Sequence, residues 1–170
     1  LEVYRQIRNA VPILDAAIGK LVRLTGGFTV SCGNRKAQRE LERFLKTVNT
    51  GRGQVGLESF LAAFLQSMLV YGRAVGEMVV GGNEIAAVLW GDVTKLYVQE
   101  GSSPMDFAFG QWQDAEVKIF PRQNLILFAA WNPDEENPYG ASVFRSMPFL
   151  VDVLLKIYST IGTNWERAGN

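Results

Sequence analysis

The chain has 170 residues, 48% of them apolar, with no histidine, one cysteine and a net charge of zero. The missing histidine excludes Ser-His-Asp and Cys-His catalysis and histidine-based metal sites, and a single cysteine builds neither an internal disulfide nor a zinc ribbon. The length and a mean hydropathy of +0.04 fit one globular domain with a real core and argue against disorder.

Val3–Leu24 reads as helical, with Val11, Leu14, Ala17, Ile18, Leu21 and Val22 at helical spacing. Pro12 should break it into a short first helix and a second that starts near the proline. Gly26-Gly27 ends the second helix, Phe28–Cys32 alternates like a strand, and Gly33-Asn34 makes a turn. Arg35–Val48 predicts a helix with Leu41, Phe44, Leu45 and Val48 on one face and charge on the other. Asn49–Gly56 reads as a glycine-rich loop and Leu57–Tyr71 as a buried helix, apolar nearly all round.

The period then changes to two. Ala74–Val80 and Glu84–Trp90 flank Gly81-Gly82-Asn83, which signals a hairpin. Val93–Gln99, Met105–Phe109, Glu116–Phe120 and Leu125–Trp131 read as further strands, and the loop Asn132–Tyr139 carries two Asn-Pro pairs. From Ser142 to about Trp165 the pattern is helical. The expected class is therefore α+β: N-terminal helices, an antiparallel strand meander and a long C-terminal helix. The expected domains are an α+β body over 1–140 and the helix over 141–170.

Leu1–Arg8 carries charge where a signal peptide would be apolar, and Leu57–Val70 is too short to span a bilayer. Together with the lone Cys32 this predicts an intracellular protein without a membrane partner. The chain opens at Leu1 and stops directly after a helical pattern, so it is expected to be a piece of a longer protein. Residues 1–73 carry 11 Lys/Arg against 5 Asp/Glu, and residues 74–170 carry 6 against 12. Such a polarised molecule can pack head to tail against its own copies, and contacts of that kind make rings or filaments. The plainer alternative is two solvated surfaces.

Four stretches carry residue types with chemistry of their own. Gly51-Arg-Gly53-Gln-Val-Gly56 is formally a GxGxxG, with Glu77 at a ribose-contact distance in sequence, and it supports an alternative reading as a nucleotide-binding enzyme. That fingerprint needs a strand before it, and a charged amphipathic helix is expected there. Asp134-Glu135-Glu136 has the oxygens for Mg²⁺ or Ca²⁺, although three consecutive carboxylates in a Pro-bounded loop fit a solvated turn better. Cys32 has Arg35 and Lys36 nearby but no histidine to activate it. Arg35, Lys36, Arg39, Arg43 and Lys46 form a basic stripe that Glu40 and Glu42 interrupt. No catalytic residue, cofactor or metal site is assigned.

The C-terminal helix carries more information. Val143, Met147, Leu150, Val151, Leu154, Tyr158, Ile161 and Trp165 recur at steps of three and four, and Phe144, Val153, Leu155 and Ile157 widen the apolar surface. About 24 residues give roughly 36 Å of helix, longer than the body beside it needs. Val143, Met147, Leu150, Leu154, Tyr158, Ile161 and Trp165 are the expected subunit interface.

Three stretches resemble the portal proteins of tailed bacteriophages: VPILDAAIGKLVRL at Val11–Leu24, the block Phe64–Leu96 with LVYGRAVGEMVV and EIAAVLWGDVTKLYV, and Leu125–Gly169 with NPYGAS and WERAG. The resemblance implies a virion subunit, assembled in the host cytoplasm as a ring, usually a dodecamer, at one capsid vertex. It implies double-stranded DNA in the tunnel, and a packaging ATPase (the terminase), capsid and tail-adaptor proteins as partners. In those terms residues 1–140 resemble the wing and the last helix the start of the stem, with Lys156 and Arg167 near DNA. Another ring-forming virion or secretion scaffold is the remaining alternative.

Overall fold

The computed structural model describes residues 1–101, 106–133 and 137–168, with Val151, Leu154, Leu155, Glu166 and Ala168 described by their backbone alone. Helix α1 (Glu2–Ala10) ends at Val11, which is extended, and α2 (Pro12–Leu24) starts at the proline. Proline has no N–H to offer the preceding turn, so it opens a helix here instead of continuing one. An Arg8–Asp15 ion pair at 2.5 Å crosses the break.

Helix α3 (Arg35–Thr47) is capped by Asn34, whose side chain accepts from the backbone N–H groups of Lys36 and Ala37. A short hairpin follows, β1 (Asn49–Gly51) and β2 (Gln54–Val55), then α4 (Leu57–Tyr71). Gly72 ends α4 in the left-handed region, at φ 79°. Strands β3 (Arg73–Gly81) and β4 (Glu84–Trp90) form an antiparallel hairpin, and β8 (Ile126–Ala130) pairs antiparallel with the other edge of β3. The sheet order is β2-β1-β4-β3-β8, and β1 lies parallel to β4. A second, three-stranded sheet holds β5 (Leu96–Glu100), β6 (Phe107–Gln113) and β7 (Glu116–Ile119). Helix α5 (Met147–Ala168) closes the described chain.

The core has two clusters, and α4 joins them. Its C-terminal end puts Leu69 and Val70 against Ile18 of α2 and Phe144. Its N-terminal half puts Phe60 against Val48 and Val88, with Phe64, Trp90 and Leu127 packed around them. Gly76 of β3 makes room for this: a Cβ there would sit 2.8 Å from the Phe60 ring.

The class is α+β, but the expected architecture is corrected. The strands do not form one antiparallel meander, because they split into two sheets, one of which contains a parallel pair. The domain is organised around the 15-residue α4 and not around a long C-terminal helix from Ser142. Helix α5 starts five residues later, at Met147, and has 22 residues, about 33 Å. Pro148 explains the late start. In a helix running from Ser142 its ring would meet the Phe144 carbonyl, whereas the second position of a helix tolerates it.

Two smaller expectations also change. Phe28–Cys32 forms no strand and joins no sheet, and the Asn49–Gly56 loop is the β1–β2 hairpin. The expected strand Met105–Phe109 lies partly outside the described residues, and its described part belongs to β6.

Candidate functional site

The C-terminal segment leaves the body at a tight joint. Gly140, at φ 83°, lies so close to the Gly72 carbonyl that a side chain could not fit. The Gly72 carbonyl also accepts from Trp131 N–H at 2.7 Å, and Ala141 N–H donates to Trp131 O at 2.8 Å. Ser142 then completes the joint. Its buried hydroxyl donates to Val70 O at 2.5 Å and accepts from Phe144 N–H at 2.9 Å. Val143 N–H donates to Leu69 O at 3.0 Å. The segments LVYGRA and NPYGAS, far apart in sequence, therefore meet backbone to backbone.

Past this joint α5 parts from the body. Met147 packs against the Ile18–Phe144 cluster, so it serves the core of its own chain. Every described side chain from Lys156 to Trp165 is exposed. On a helical wheel Met147, Leu150, Leu154, Tyr158, Ile161 and Trp165 fall within an arc of roughly 80°. Of these, Leu150, Tyr158, Ile161 and Trp165 are exposed, Trp165 by 80%; Phe149, also exposed, lies on the opposite face. The Leu154 side chain lies outside the described set, as do those of Val151 and Leu155. Val143, before the helix, is 37% exposed.

The face opposite the arc carries the two basic candidates. Lys156 is held by Asp152 at 2.6 Å, so its charge is locally balanced. Arg167 is exposed in the last turn.

The remaining candidates do not assemble into a site. In Gly51–Gly56 the first glycines form a hairpin, not a turn from strand end to helix. Gly56 N–H donates back to Val48 O at 2.8 Å, and Arg52 lies over the Trp90 ring at 4.4 Å. The loop therefore closes on itself and offers no phosphate cradle. Glu77 lies on β3, exposed. Cys32 is exposed and its thiol faces Asn34 O at 3.4 Å. The five cations of α3 are all exposed. Asp134-Glu135-Glu136 lies outside the described residues. Among the described residues no group of three or more His, Cys, Asp or Glu is placed to hold a metal ion, and no helix is long and apolar enough to cross a membrane. No protein-family model matches the chain, and no curated protein matches it.

Sequence reasoning missed the joint. Ser142 and Gly140 were legible only as a small-residue motif, and their contact with Val70 and Gly72 depends on the tertiary fold. A glycine directly after an apolar helix, as at Gly72, was the one available signal.

Proposed function

We propose that this chain is a structural subunit of a ring built from its own copies, of the portal type, through which double-stranded DNA is packaged and ejected. The exposed apolar arc of α5 is the observation that carries the reading. A two-turn run of Tyr158, Ile161 and Trp165 that stands exposed among the described residues needs another surface, because contiguous exposed apolar patches mark interaction sites. The opposed charges of the two halves favour a head-to-tail neighbour over a face-to-face one. The resemblance of three segments to portal proteins supports the ring and its partners: packaging ATPase, capsid and tail adaptor. On this reading the protein's work is geometric and electrostatic, with no catalysis.

Light scattering across a concentration series, followed by negative-stain microscopy, tests it. Closed rings are expected, and Ile161→Asp with Trp165→Asp should reduce them to monomers. A wild-type chain that stays monomeric at every concentration overturns the proposal. A ring whose channel is too narrow for duplex DNA overturns the DNA part and favours another ring-forming scaffold.

A further inference from the structure

A second feature is independent of the ring reading. A polar cavity of about 440 Å³ opens where α1, the end of α4, the start of β3 and the Tyr139–Arg145 segment meet. Tyr4, Tyr71, Arg73, Asn137, Tyr139 and Arg145 are among the residues that line it. Arg73 is half-buried, and its guanidinium lies 5.7 Å from the centroid of the Tyr139 ring. Among the described residues no carboxylate pairs with it. Burial lowers its pKa from the ordinary guanidinium value, and the tyrosine offsets only part of that. Arg73 is thus a partly desolvated cation that faces the cavity with no carboxylate partner among the described residues.

Three described carboxylates near these residues have partners of their own. Glu2 pairs with Arg5 at 2.6 Å. Glu100 accepts the Tyr139 hydroxyl, and Asp92 accepts from Thr94 N–H at 2.9 Å and from its hydroxyl at 2.6 Å. Tyr71 lies between charges of both signs, Arg5 and Arg8 against Asp92 and Glu2.

We infer that this cavity binds a phosphate group, with Arg73 as its cation and the Tyr71 and Tyr4 hydroxyls as neutral donors. The guanidinium fork matches two phosphate oxygens. Donors from three elements, β3, α4 and α1, surround the space, which suits a tetrahedral oxyanion better than a planar carboxylate. The volume exceeds that of bare phosphate and falls in the range of small-ligand sites, so a phosphate ester fits. That ester is either a free nucleotide or a phosphodiester of a DNA backbone.

Calorimetric titration of the 170-residue chain at constant ionic strength tests this, with inorganic phosphate, a deoxynucleoside monophosphate and a short DNA duplex as separate probes. Saturable phosphate binding is expected, weakened at least ~10-fold by Arg73→Gln and measurably by Tyr71→Phe, but unchanged by Arg39→Gln with Arg43→Gln on α3. Duplex binding that depends on Arg73 assigns the backbone phosphate; Arg73-dependent binding of the mononucleotide without the duplex assigns the free ester. Absence of saturable binding by the wild type overturns the inference, as does an equal loss in the α3 variant. If circular dichroism shows that Arg73→Gln fails to fold, Tyr71→Phe decides: undiminished binding there overturns the inference.

Discussion

Ser142 is the residue on which the joint turns. Its hydroxyl both donates and accepts, and both partners are backbone groups. Ser142→Ala leaves a buried carbonyl and a buried N–H unpaired, which should cost about 1–3 kcal/mol. A urea unfolding curve checks this, and an unchanged midpoint would refute the role given to the hydroxyl. Tyr71 and Tyr139 make a second prediction. Burial raises the Tyr71 phenol above its ordinary value of 10.0, and the hydrogen bond to Glu100 raises Tyr139. A phenol whose folded pKa is raised holds its proton more tightly in the folded state. Its contribution is complete below the unfolded pKa and is lost as pH rises through the folded one. Stability should therefore hold at neutral pH and fall above about pH 10, and Tyr71→Phe with Tyr139→Phe should flatten that fall in thermal melts across pH. An unchanged slope in the double variant would break the assignment.

At the scale of elements, α4 decides the fold. Phe60→Ala removes a ring that is 4% exposed and that Gly76 is shaped to receive, so it should cost roughly 3–5 kcal/mol. Equilibrium denaturation measures it, and a loss under about 1 kcal/mol would show that the second cluster is not a packed core. The elements with strong periodicity were legible: α2 with its proline start, α3 with its apolar face, α4, and the β3–β4 hairpin around Gly82-Asn83. What could not be read were pairings made by partners distant in sequence. Phe28–Cys32 looks like a strand, but its hydrogen-bonding neighbour is the side-chain amide of Gln38, which takes Cys32 N–H and gives to Val30 O. Gln123 does the same for Phe109, bonding both its N–H and its carbonyl. An amide carries one acceptor and two donors, so it can stand in for a strand edge, and no local pattern announces that. The parallel contact of β1 with β4 is equally non-local. The start of α5 was readable in principle, since Pro148 forbids an earlier one. The phosphate cavity was not, since it draws Tyr4, Tyr71 and Arg73 from three elements.

At the scale of the whole molecule, two features bear on association, and salt separates them. The apolar arc of α5 acts by removing Leu150, Tyr158, Ile161 and Trp165 from water, which salt does not screen. The charge asymmetry acts at long range, steering a basic half towards an acidic half. Raising ionic strength from about 0.1 M to about 1 M shortens the screening length from ~10 Å to ~3 Å. If the arc supplies the affinity and the charges supply the orientation, the two should part company. The rate of assembly should fall with salt, while the final mass stays constant. Stopped-flow light scattering gives the rate and static scattering the endpoint. A final mass that collapses at high salt would move the affinity from α5 to the charged surfaces. The Trp165→Asp variant sharpens the comparison, because it should lower the endpoint at both salt concentrations and leave the salt dependence of the initial encounter rate in place.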